Sequence, residues 1–325
     1  MTKKILLVGC GHWGKNILRD LKKLNCYVVV FCFSNRDRDN AKAYHADEMI
    51  HAISQISMVD GIVVATLAYS HARVVQSLAH FPVPFFVEKP LTPCVAEARQ
   101  LAKDFPDRLF VMHKWLYHNG VILLANIIKK QEFGKVIGIK TKRMLNYLPH
   151  PDVDVVWTLA VHELTILLGL LGYLPKVDKV AATEWNNEAV SMIIHYLGHP
   201  WVVQEISSVA TQKTTSISIE CEEAVLTLND GYSNTIQIYR KENRKSGFHN
   251  NQEHCEQRLF DNEMPLFLEL KEFINYLNGG PKPQSDVSEG LQIVETIAHL
   301  RSLAGLKSTG ILMDITNKNL LSSIV

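Results

Sequence analysis

Lys4-Ile5-Leu6-Leu7-Val8-Gly9-Cys10-Gly11-His12-Trp13-Gly14 decides the reading of this chain. Residues 4–8 form a short β-type run, and residues 15–24 carry apolar side chains at helical spacing, so the three glycines stand between a strand and a helix. In that setting Gly-x-Gly-x-x-Gly has a physical meaning. Glycines permit a tight turn and let a diphosphate approach the helix N-terminus, where free N–H groups and the helix dipole favour anions. A lone glycine-rich turn would say little, but the pattern continues behind this one. Apolar runs at 27–33, 61–65, 83–87 and 109–112 alternate with helical segments at 41–46, 71–80 and 95–103. All five strand runs are apolar throughout, as parallel strands covered by helices on both faces must be. Residues 1–115 are therefore expected to fold as an α/β, doubly wound, parallel Rossmann domain that binds a dinucleotide.

The pattern changes after residue 115. Residues 136–143 read as a strand and 155–171 as a long helix closed by Gly172. Short segments at 192–196, 202–207, 215–221, 225–228 and 235–239 follow, and Ser216-Ile217-Ser218-Ile219 alternates as an antiparallel strand with one wet face does. Residues 241–262 are polar and expected to be a mobile loop. Gly279-Gly280-Pro281-Lys282-Pro283 separates helical segments at 265–277 and 288–306. Residues 116–325 are expected to form an α+β domain on a largely antiparallel open sheet, for substrate binding and oligomerisation.

A length of 325 residues favours two domains over one core. A net charge of +1, with 47% hydrophobic and 21% charged residues, gives no electrostatic reason to expect nucleic acid or an anionic membrane, and points to a small-molecule partner. The apolar run at 5–8 is too short for a signal peptide, and the one at 155–171 contains His162 and Glu163 and is too short to span a bilayer. Six cysteines without a Cys-x-x-Cys pair suit free thiols in a reducing, cytoplasmic setting. His195 and His199 have a spacing that metals accept, but Gly198 and Pro200 make an ordinary turn the better reading, and no metal is expected.

The residues after the second strand bear on the choice between NAD and NADP. Phe33-Ser34-Asn35-Arg36-Asp37-Arg38 has no carboxylate at the strand end, while Ser34 and Arg36 can donate to a phosphate, which favours NADP. The alternative is that Arg36 and Arg38 are solvated loop charges.

Phe86-Val87-Glu88-Lys89-Pro90, some 75 residues beyond the glycines, gives the chain a resemblance to the Gfo/Idh/MocA oxidoreductases, a family that includes glucose–fructose oxidoreductase and inositol dehydrogenase. Ala65-Thr66 with His71, residues 113–118, Phe133-Gly134-Lys135-Val136, Trp157 to His162 and the helix at 288–306 resemble it as well, in order along the chain. The resemblance implies an NAD(P)-dependent dehydrogenase or reductase acting on a sugar, cyclitol or nucleotide sugar, with Lys89 as main acid/base and His162 as a second proton-handling residue. It implies cofactor contacts from Gly9, Gly11, His12, Trp13, Gly14, Ser34, Arg36, Ala65, Thr66, His71, Glu88, Lys89 and Pro90. Substrate contacts would come from Tyr117, His118, Thr158 and His162, the Lys89–Pro90 bond would be cis, and the chain would form a homodimer or homotetramer. Many members carry an aspartate where this chain has Thr158, which cannot place a negative charge beside His162. A buried core histidine is the alternative for His162, and a non-catalytic NAD(P)-binding regulator or an imine reductase the alternatives for the chain.

Overall fold

The computed structural model describes residues 2–146, 152–241 and 255–306. Among these, residues 2–114 and 264–296 form one compact unit, and 115–146, 152–241, 255–263 and 297–306 a second.

The first unit is built on a six-stranded parallel sheet. Its elements are β1 (Lys4–Val8), α1 (Gly14–Lys23), β2 (Tyr27–Phe31), α2 (Asn35–Ala43), β3 (Glu48–Ile50), β4 (Gly61–Val64), α3 (His71–Ser77), β5 (Phe85–Val87), α4 (Val95–Asp104) and β6 (Leu109–Val111). The strand order is β3-β2-β1-β4-β5-β6, so the order reverses between β1 and β4, where α/β sheets of this kind bind ligands. Leu6 lies opposite Val29 on one side and Ile62 on the other, and the central strands are buried on both faces. Two features escaped the pattern. β3 has only three residues. α2 starts at Asn35 rather than near 41, because its Asn-Arg-Asp-Arg-Asp-Asn run carries no apolar periodicity.

α7 (Pro265–Leu277) belongs to this unit, whereas the sequence reading assigns 116–325 to one C-terminal domain. The reason is apolar. Phe273 stacks on Phe86 of β5 with ring centroids 4.9 Å apart, and Leu266, Leu270 and Ile274 share a core with Ile17, Leu18 and Leu21 of α1. α8 (Val287–Leu303) is divided between the units after Thr296.

The second unit holds α5 (Asn119–Lys129), β7 (Val136–Met144), α6 (Val161–Leu171), β8 (Val177–Trp185), β9 (Glu188–Tyr196), β10 (Trp201–Ser207), β11 (Thr214–Cys221), β12 (Ala224–Leu228), β13 (Thr235–Arg240) and β14 (Cys255–Leu259). The sheet order is β14-β13-β12-β11-β7-β10-β9-β8; β7 and β10 are parallel and the other pairs antiparallel. Met192 and Ile194 point into the core while Ile193 and His195 point out, the period-two signature of a sheet with one wet face. Residues 255–259, read from sequence as part of a mobile loop, are a strand paired with β13; residues 242–254 of that loop lie outside the described residues. Among the described residues no helix is long and apolar enough to cross a membrane, and no group of three or more His, Cys, Asp or Glu is placed to hold a metal.

Candidate active site

The glycine loop follows β1 and is shaped by contacts that only glycine tolerates. Gly9 has φ +88°, in the left-handed region, and a Cβ there would stand 3.0 Å from the Ala65 carbonyl oxygen. A Cβ on Gly14 would lie 2.4 Å from the Gly9 carbonyl oxygen, so helix and strand approach more closely than any side chain allows. Gly11 differs: a Cβ there meets no protein atom within 4 Å. Gly9 and Gly14 thus serve the fold, while the absence of a side chain at Gly11 is not required by any protein contact. No side chain caps α1 and its first turn holds no acid, which leaves its positive end to an anion. His12 is exposed at the tip, its ring edge-on to Trp13, and the Lys114 ammonium sits 4.9 Å from the Trp13 ring centroid.

Asp37, in the first turn of α2, holds this loop. Its carboxylate accepts hydrogen bonds from the backbone N–H of Cys10 (3.1 Å), Phe33 (3.0 Å) and Ser34 (3.0 Å) and from the Ser34 hydroxyl. The Ser34 hydroxyl in turn accepts from the Asp37 N–H, completing a capping box. Asn40 donates to the Cys10 carbonyl at 2.6 Å. A carboxylate therefore does stand at the end of β2, delivered from the helix instead of the strand. Sequence reasoning missed its role, although Ser34-x-x-Asp37 is the capping signature itself. Arg36 is exposed. Residues Val8, Phe31, Phe33, Ile53, Val74, Ser77 and Leu78 line a nearby apolar slot, also unforeseen.

β1, β4 and β5 are adjacent and parallel, so Gly9, Ala65-Thr66 and Glu88-Lys89-Pro90 emerge along one edge of the sheet, with β1 and β5 roughly 10 Å apart. Lys89 is only 5% exposed, and the Lys89–Pro90 peptide is cis, as the resemblance implies. His71, buried at the start of α3, has its Nδ1 2.9 Å from the Pro90 carbonyl oxygen and its Nε2 3.1 Å from that of Thr66, so one ring ties the β4 loop to the Lys89–Pro90 turn. The Ser70 hydroxyl donates to the Leu67 carbonyl at 2.7 Å and lies within hydrogen-bond distance, 2.9 Å, of Thr66 Oγ1.

In the second unit, the residue expected to replace the family's aspartate faces inward. Thr158 lies within a π-helical turn, Val156–Ala160, that runs into α6, and its hydroxyl donates to the Asp154 carbonyl at 3.0 Å. Such wide turns occur at functional positions. Asp154 is committed elsewhere: it accepts from the Val156 and Trp157 N–H groups and pairs with Arg301 at 2.7 Å. Burial pushes its carboxyl pKa up, against the pull of Arg301. His162 is buried beside Glu163, which pairs with Arg143 at 2.6 Å. Arg143 lies 4.4 Å over Trp115, and Trp115 stacks on His118. His118 is occupied by structure: Nδ1 accepts from the Gly120 and Val121 N–H groups at the start of α5, which leaves Nε2 to donate to the Gly231 carbonyl. Tyr117 is buried beside it in sequence. The buried pairs Asp154–Arg301 and Glu163–Arg143 join residues far apart along the chain and were not legible in it.

The edge of the first sheet, with its glycine loop, uncapped helix and buried lysine, defines a dinucleotide-dependent oxidoreductase of the Rossmann class. Residues 3–108 match the model of the Gfo/Idh/MocA family, described as oxidoreductases with an NAD-binding Rossmann fold. Over those residues the chain carries an NAD-binding Rossmann domain of the kind found in these oxidoreductases. No curated protein sequence matches the chain. Solved structures with the same fold include UDP-N-acetylglucosamine 3-dehydrogenase from Acidithiobacillus ferrooxidans, with 17% identity and TM-score 0.77 over 94% of this chain and 99% of that one. Levoglucosan dehydrogenase in complex with NADH and levoglucosan shares 13% identity at TM-score 0.80, over 95% of this chain and 98% of that one. An oxidoreductase from Agrobacterium radiobacter, in complex with NAD+, L-tartaric acid and magnesium, shares 12% at TM-score 0.80, over 94% and 97%.

Proposed function

We propose that this chain moves a hydride between NAD(P) and a hydroxyl or carbonyl carbon of a sugar, cyclitol or nucleotide sugar, with Lys89 as main acid/base. The carrying observation is a buried lysine at the carboxyl end of β5, on the same sheet edge as a glycine loop open only at Gly11. The bound cofactor supplies the hydride acceptor or donor. In the oxidative direction the neutral Lys89 amine takes the hydroxyl proton as the carbon–hydrogen bond gives up its electron pair and the carbonyl forms; in reduction Lys89 returns that proton. The residues around the glycine loop fit a dinucleotide: the uncapped helix end, with no acid in its first turn, suits the diphosphate. His162 is the second proton-handling group in this reading. Sugar and nucleotide-sugar dehydrogenases among the similar structures support the substrate class. The test is a panel of polyols, sugars and sugar nucleotides with the purified protein, following reduced cofactor by absorbance; absence of turnover across all three classes sinks the substrate assignment.

NAD is the cofactor in this reading. The sequence argument for NADP used Ser34 and Arg36, but the Ser34 hydroxyl is held by Asp37, whose carboxylate opposes a second phosphate. We expect NADH to bind at least about tenfold more tightly than NADPH, a difference of about 1.4 kcal/mol. Fluorescence titration of both measures it, and equal or tighter NADPH binding returns the choice to Arg36.

A homodimer or homotetramer through the open face of the second sheet completes the proposal. That face presents Ile193 and Trp201, whose ring lies across Gly138 so closely that no side chain fits there. Light scattering is expected to show a dimer or tetramer for the native protein and a smaller species for Ile193→Asp; a monomeric native protein contradicts it. Six cysteines that form no disulfide support a reducing cytoplasmic compartment in this reading, which cell fractionation checks.

A further inference from the structure

Glu269 is a buried carboxyl for which the proposed reaction has no use. It sits on α7, 1% exposed, with its Oε2 lacking any hydrogen-bond partner, and Glu88 has an equally unpartnered buried Oε2. The stack of Phe273 on Phe86 places the two acids. Glu88 follows Phe86 by two residues on an extended backbone that its N–H continues by bonding the Val64 carbonyl, so it lies on the same side of the sheet. Glu269 precedes Phe273 by four residues, about one helical turn, on the same helix face. Each acid thus lies roughly 6 Å along its element from the stacked rings, and the charge of Glu88 acts on Glu269.

Two acceptor-only groups in one apolar setting cannot both be satisfied as carboxylates. The charged groups whose fields reach Glu269 are Glu88 and Lys114, while β1, β2 and α1 bring apolar side chains such as Leu7, Val30 and Leu18 to the core that α7 shares. We infer that Glu269 is a positioning residue for the Glu88-Lys89-Pro90 turn: carried as the neutral acid, it donates a hydrogen bond toward the Glu88 carboxylate and so fixes the peptide that bears Lys89. Burial first, and the Glu88 charge second, hold the Glu269 carboxyl well above its ordinary value of 4.5, with Lys114 pulling the other way. The importance of the turn rests on the reading of Lys89 given above; the proton on Glu269 does not.

The test uses the full chain with Glu269→Gln, which keeps a donor, and Glu269→Leu, which removes it. A group whose folded pKa is raised stabilises fully below its unfolded pKa and loses that contribution as pH rises through the folded value. Denaturant unfolding should therefore show wild type losing ground to Glu269→Gln by about tenfold in folding constant per pH unit above the ordinary carboxyl value. A ratio that stays flat with pH means Glu269 is ionised in the fold and overturns the inference. NADH titrations across the same range give the positioning readout. Glu269→Gln should follow the wild-type pH profile, while Glu269→Leu, leaving Glu88 without a donor, gains a new pH dependence; Gln and Leu variants that behave alike overturn the positioning role. If wild type itself binds no NADH, the cofactor reading fails, and the unfolding measurements still decide the state of Glu269.

Discussion

Lys89→Ala should lower turnover of any substrate found by about 10²–10⁴-fold while NADH affinity changes little, because it removes the group that exchanges the hydroxyl proton. The location makes the effect specific. Lys89 is buried at a strand end, in a turn that His71 pins from the Pro90 carbonyl, so the backbone around the missing side chain has little reason to move. Pre-steady-state absorbance of reduced cofactor, with melting temperature as the control for folding, separates a chemical loss from a structural one. His162 gives the contrast. If it handles a proton, His162→Asn lowers turnover at unchanged stability; if it is a core histidine, the melting temperature falls and turnover per folded molecule holds. Wild-type turnover by Lys89→Ala removes the mechanism.

Gly14→Ala should cost about 1–3 kcal/mol of stability and weaken NADH binding, since a methyl group there meets the Gly9 carbonyl at 2.4 Å. The obstacle is backbone and cannot rotate away. Relief requires α1 to shift from β1, and the shift breaks the alignment of the helix N-terminus on which diphosphate binding depends. Denaturant unfolding measures the first effect and fluorescence titration the second. A Gly14→Ala protein as stable as wild type would show that the helix and strand are less closely packed than the structure has them.

The first sheet was legible because each of its long strands is a continuous apolar run bounded by turn residues, and because a glycine triplet between strand and helix has few other uses. The lysine turn was legible as a motif, since Glu88-Lys89-Pro90 is contiguous. What local pattern does not encode was lost. α2 shows no apolar stripe, so its start, and with it the anchoring role of Asp37 and Asn40, went unread despite the Ser34–Asp37 capping signature. β8 has mostly exposed residues and α5 is too evenly apolar to display a face, so neither declared itself. Phe273 packs on Phe86 from 187 positions away, and no periodicity links them. The same holds for Arg301 with Asp154. Thr158 was identified as a departure, but not that its hydroxyl turns back to the Asp154 carbonyl.

The most direct test is the NADH dissociation constant of Gly11→Ala. Space beside Gly11 is free of protein atoms, so the substitution should leave stability within about 0.5 kcal/mol of wild type. Yet its methyl group stands where the dinucleotide's diphosphate must approach, and affinity should fall at least about tenfold. A folded Gly11→Ala protein that binds NADH as wild type does would mean the diphosphate lies elsewhere, and the site at the edge of the first sheet would have to be abandoned.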